Sequence, residues 1–135
     1  MKILVFGASG MVGQGAVRES LLAPDVSEVI VVVRQALELT HPKLRQLVVD
    51  DLLDLSQHRA HLKDVNACFF CIGASASGMS AEAYKKLTHG LTLAVANKLL
   101  DMNARMVFVY VSGAGADSTE RNGRMWARVR GQTEN

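Results

Sequence analysis

The sequence carries only two cysteines, Cys68 and Cys71, in 135 residues. That excludes a disulfide framework, and with no export signal it points to the cytoplasm. The start, MKILVFGASG, has one lysine and a short apolar run that flows straight into a glycine loop, which reads as a first strand rather than a signal peptide. Long apolar runs are absent too. The longest, ACFFCIGA and MVFVYV, fall well short of the roughly 18 residues a membrane helix needs, so no membrane is expected. No sign of charge dominates: a formal net charge of +2 gives no argument for nucleic acid or a membrane surface. Internal repeats, linkers and low-complexity tracts are missing as well. What remains, 49% hydrophobic and 21% charged, is ordinary for one globular domain spanning 1–135, long enough to bury a core.

Apolar runs alternate with stretches of helical spacing. KILVF (2–6), EVIVVV (28–33), LRQLVV (44–49), ACFFCI (67–72) and ARMVFVYV (104–111) read as strands. Between the first two, residues 10–22 place Gly13, Val17 and Leu21 four apart, giving a helix a small apolar face. A weaker helical segment covers 55–62. Ser80 can cap a long helix with Glu82 in its first turn, and Leu87, Leu91, Ala94, Val95 and Leu99 keep its spacing. The strands are almost uniformly apolar instead of alternating, so both faces should be covered. Five such strands separated by helices predict an α/β fold: a doubly wound, mostly parallel sheet with helices on both faces, Rossmann-like.

GASGMVGQG sets Gly7, Gly10 and Gly13 between the first strand and the first helix. The first glycine permits the tight turn, the second lets backbone approach a pyrophosphate, and the third lets the helix pack closely on the sheet. A diphosphate would rest on free N–H groups at the helix start. The candidate cradle is therefore Gly7, Ser9, Gly10, Met11, Val12 and Gly13. At the end of the second strand an acid would hold the ribose 2′-hydroxyl of NAD, but the chain reads Val33-Arg34-Gln35, with no acid before Glu38. Arg34 suits a 2′-phosphate instead, which favours NADP over NAD.

Other constellations carry less. Cys68 and Cys71 lie in a predicted strand, where side chains three apart face opposite ways, so they read as two buried thiols and not as a disulfide or metal pair. His58 and His61 have no third ligand nearby. Arg121, Arg124, Arg128 and Arg130 make the tail basic, but Asp117, Glu120 and Glu134 are interspersed, which argues against nucleic acid.

GASGMVG, VVVR, VVDDLLD, CIGAS and YVSGAGA, in that order from residue 3 to about 116, resemble the short-chain dehydrogenase/reductase superfamily in its atypical branch of NAD(P)-binding, NmrA-like and epimerase-like proteins. The resemblance implies that Asp51 bonds the adenine amino group with Leu52 beside the ring. It also implies that Gly73 and Ala74 line the ribose and nicotinamide side, and that Ser112 is the catalytic serine that polarises a substrate carbonyl. It further implies additional strands and a substrate region after the fifth helix, so the fold reads as shortened at its C-terminus. A bare outer edge on strand 104–111 would then suit a second copy of the chain.

The departure from the family is a tyrosine. Members carry Tyr-x-x-x-Lys on the fifth helix, the phenol moving a proton and the lysine holding it and the ribose. Here only Tyr84 and Tyr110 exist, neither with lysine four residues on, and the matching segment reads Trp126-Ala127-Arg128-Val129-Arg130. Indole N–H donates a hydrogen bond but is no acid at neutral pH. Arg130 can still reach the ribose. Two functions stay open: a reductase without the usual relay, or a non-catalytic dinucleotide-binding redox sensor or scaffold.

Overall fold

A computed structural model describes residues 1–121 and 123–135. Five strands, β1 (Lys2–Phe6), β2 (Glu28–Val33), β3 (Leu44–Val48), β4 (Ala67–Phe70) and β5 (Val107–Tyr110), form one sheet in the order β3-β2-β1-β4-β5. Every pairing is parallel, with Leu4 opposite Ile30 on one side of β1 and Cys68 on the other. The order reverses at β1/β4, where an open α/β sheet leaves a crevice at the carboxyl ends of its strands.

Alternate residues of these strands feed two cores. Leu4, Phe6, Ile30, Val32, Cys68 and Phe70 pack with Leu62, Val95 and Leu99 on one face. Ile3, Val5, Val29, Val31 and Val33 pack on the other with Val17 and Leu21 of α1 (Met11–Leu22). Both faces are covered, as the unbroken apolar strands predict. Cys68 and Cys71 fall to opposite sides of the sheet, both as free thiols. Burial pushes the Cys68 thiol far above its ordinary range and raises that of Cys71.

The long helix predicted from Ser80 forms, but not as one regular helix. α2 (Ala81–Lys85) runs through a π-helical turn (Lys86–Gly90) into α3 (Leu91–Leu100). Leu87, whose spacing suggested a core position, is 46% exposed, and Tyr84, Thr88 and Thr92 point inward instead. The wide turn changes which residues face the sheet. The segment at 55–62 tightens to a 3₁₀ turn (Ser56–His58). β4 and β5 are shorter than their apolar runs. Asn103 takes the residues before β5 out of the strand: its amide donates to Leu62 O at 2.7 Å and Leu99 O at 3.1 Å, and its Oδ1 accepts from Val65 N–H at 3.0 Å.

α4 (Met125–Glu134) closes the described chain, and Trp126 and Arg130 lie on it one turn apart. It docks on the loop after β5 through backbone: Asp117 N–H donates to Ala127 O at 2.9 Å. Among the described residues no helix is long and apolar enough to cross a membrane.

Candidate functional site

A cleft of about 820 Å³ opens at the carboxyl ends of β1, β2, β3 and β4, within the range of ligand sites. Gly7 to Gly10 form its floor, Val32 to Leu37 one wall, and Asp50, Leu52 and Cys71 to Gly73 the other.

Internal packing explains two of the three loop glycines. Gly7 has φ +76°, and a Cβ on it would stand 2.7 Å from the carbonyl carbon of Cys71. A Cβ on Gly13 would stand 2.0 Å from the Gly7 oxygen, so α1 meets the turn backbone to backbone. Gly10 differs. Its φ is an ordinary −79°, and the nearest atom to an added Cβ is Gly7 O at 3.5 Å, a normal contact. Nothing inside the protein requires glycine there, and the missing side chain leaves the loop backbone open to the cleft.

The start of α1 is left uncapped. No side chain accepts from its first N–H groups and its first turn holds no acid. Ser80, by contrast, caps α2 by accepting from Ala83 N–H at 3.1 Å. The free N–H groups of Met11, Val12 and Gly13 therefore form a partial positive charge aimed at the cleft floor. Met11 and Val12 are 89% and 54% exposed, and neither lines the cleft. Ser9 lines the floor, its carbonyl accepting from Gln14 Nε2 at 2.9 Å.

Arg34 stands in the cleft wall, exposed, with no carboxylate paired to it among the described residues. Asp51 does not line the cleft: its Oδ1 turns back to accept from Leu53 N–H at 2.8 Å, and Asp50 takes the lining position. Leu52 and Gly73 line the cleft, and Ala74 does not.

Beyond Gly73 lies a second group of polar side chains. Arg130 Nε donates to Tyr84 Oη at 3.1 Å, and Tyr84 is 1% exposed. The guanidinium lies over the ends of β4 and β5: Cβ atoms on Gly113 and Gly73 would sit 3.4 Å from Nη1 and 3.8 Å from Nη2. The Oγ of Ser112 is buried here without a hydrogen-bond partner, and the buried Oη of Tyr110 has the Thr133 side chain beside it. Burial pushes the Tyr110 phenol up, with the Arg130 cation opposing it. Tyr84, which has no lysine four residues later, carries no signal of this contact in the relay motif. The i, i+4 series Tyr84, Thr88, Thr92 carried the signal of a polar inward stripe. Among the described residues no His, Cys, Asp and Glu cluster could hold a metal.

A glycine turn into an uncapped helix, at the switch point of a parallel sheet, defines a dinucleotide-binding Rossmann domain. Residues 7–132 match the NAD(P)H-binding family, and the chain belongs to it. No curated protein matches significantly. Among solved structures the fold is similar to a short-chain dehydrogenase from Burkholderia cenocepacia in complex with NADP (TM-score 0.73, 16% identity, 98% of this chain and 62% of that one). It is also similar to a mutant uronate dehydrogenase from Agrobacterium tumefaciens complexed with NAD (0.69, 19%, 98% and 52%). A third is a UDP-glucose 4-epimerase from Thermotoga maritima (0.69, 20%, 99% and 49%). The chain thus spans between 49% and 62% of the length of these relatives.

Proposed function

We propose that this chain is the cofactor-binding part of an NADP(H)-dependent reductase that works without the Tyr/Lys relay. Gly10 carries the reading: a glycine that packing does not need, facing the cleft beside uncapped helix N–H groups, fits a bound pyrophosphate. Gly7 and Gly13 hold the turn in shape. Arg34 pairs with the 2′-phosphate, Leu52 packs beside the adenine, and an acid of the Asp50-Asp51 pair reaches its amino group. When bound, the reduced cofactor supplies a hydride to an electrophilic carbon. Ser112 is the hydroxyl placed to polarise that carbon's oxygen, and solvent supplies the proton.

Calorimetric titration of Arg34→Ala tests the cofactor choice. NADPH affinity should fall by about 1.5–3 kcal/mol, the scale of a charged hydrogen bond, while NADH affinity barely changes. Equal losses for both would remove Arg34 from that role. A redox sensor or scaffold is the second reading, favoured by Trp126 in place of a proton donor. It stands if NADPH binds but no aldehyde, ketone, quinone or flavin is reduced.

The outer side of β5 has no neighbouring strand among the described residues, and Val107 is 61% exposed on it. We assign this edge to a second copy of the chain. Light scattering should give a dimer mass at micromolar concentration; a monodisperse monomer would contradict it.

A further inference from the structure

We propose that Arg130 recognises a carboxylate, its two Nη groups forming the anchoring subsite, next to the Ser112 hydroxyl, for an anionic carbonyl substrate at the Gly73 end of the cleft. This rests on the reductase reading and narrows its substrate class to oxo acids.

The guanidinium is held, and only in part used. Its Nε–H is spent on Tyr84 Oη, a side chain locked in the core, which fixes the plane of the group. Both Nη atoms then face the backbone of Gly73 and Gly113, at the ends of β4 and β5. Gly73 is a lining residue of the cleft, and Nη2 lies 3.8 Å from where its Cβ would stand, so the guanidinium sits behind the last lining residue of that wall. Glycine at 113 leaves the group its room, since a Cβ would press to 3.4 Å.

No carboxylate pairs with Arg130 among the described residues. A half-buried cation without a counter-charge is unfavourable by itself, and here it lies next to the loop that carries the unpartnered hydroxyl of Ser112. One ligand anion satisfies both groups together. The free Nη pair is a planar fork that matches the two oxygens of a carboxylate. The resemblance gives this helix position to the cofactor ribose, but neutral ribose hydroxyls leave the charge unanswered. On the reductase reading the cofactor phosphates would be held at Gly10 on the cleft floor. Tyr84 is a positioning residue that keeps the fork turned to the cleft.

The sequence's one tryptophan, Trp126, sits a turn from Arg130 with its ring against Gly115, and its emission reports on this corner. The full chain, with and without NADP⁺, is titrated with pyruvate and with methyl pyruvate, followed by Trp126 emission and by saturation-transfer NMR of the probe methyl group. Pyruvate should bind at least tenfold more tightly than the ester. Arg130→Ala should erase that preference while NADPH affinity stays within threefold, and Arg130→Lys should keep part of it. Should Arg130→Ala fail to fold, Tyr84→Phe serves: pyruvate affinity should drop three- to tenfold with the ester unchanged. Equal binding of acid and ester, or no binding of either, overturns the subsite. So does an Arg130→Ala protein that loses NADPH tenfold but keeps its pyruvate preference, which would place Arg130 on the ribose. Failure of NADPH to bind the wild-type chain sinks the reductase reading alone, because the preference is also read without cofactor.

Discussion

Gly13→Ala should lower NADPH affinity at least tenfold and destabilise the fold, whereas Gly10→Ala should lose the affinity and keep the stability. The difference comes from where the added methyl goes. At Gly13 it would stand 2.0 Å from the Gly7 oxygen and 2.9 Å from the Ala8 Cα, both main-chain atoms between β1 and α1. Neither yields without moving the helix, so the substitution should cost about 1–3 kcal/mol or more, the range for overpacking. The shift also carries the N–H groups of Met11 and Val12 away from the cleft floor. At Gly10 the methyl meets nothing inside the protein closer than 3.5 Å. Stability should change by less than about 1 kcal/mol, a change of cap residue, while the methyl occupies the space a diphosphate needs. Urea unfolding beside calorimetry separates the two. A Gly10→Ala protein that binds NADPH normally would remove the observation on which the cofactor reading rests.

Gly131→Ala should be the most damaging single methyl outside the loop. Its Cβ would fall 1.9 Å from Asp117 O and 2.1 Å from the Asp117 carbonyl carbon. α4 sits on the 117–118 backbone so closely that only glycine fits. Asp117 N–H to Ala127 O at 2.9 Å and Asn135 Nδ2 to Ser118 O at 3.0 Å fasten it on either side. Lifting the helix off should lower stability by about 3 kcal/mol, at the upper end of overpacking. It should also part Arg130 from Tyr84. The urea midpoint and a red shift in Trp126 emission report the two effects. An unchanged midpoint would mean that α4 is not docked as described.

How much was legible depended on whether the signal was local. The sheet was readable because every strand but β3, which carries Arg45 and Gln46, is almost wholly apolar, and the glycine loop because its turn, its helix and its three glycines are contiguous. The face of α1 followed from Gly13, Val17 and Leu21. Asp51 is not among the cleft-lining residues: its Oδ1 accepts from Leu53 N–H in an Asx turn, and Asp50 stands on the cleft. Such a local hydrogen bond competes with any role in a site, and the run Asp50-Asp51 gives no sign of which acid turns. The partnership of Arg130 and Tyr84 joins residues 46 apart and depends on the π turn and on how α4 docks. Neither is written in a spacing. The sequence shows Trp126 four residues before Arg130, and only the fold shows that Arg130 donates to Tyr84.

The central claim is that the cleft binds a nicotinamide dinucleotide through the uncapped start of α1 and selects its phosphorylated form through Arg34. Calorimetric titration of the wild-type chain with NADPH and NADH tests it directly. The account predicts one saturable site per chain for NADPH, at least tenfold tighter than for NADH. A flat titration with both would contradict it.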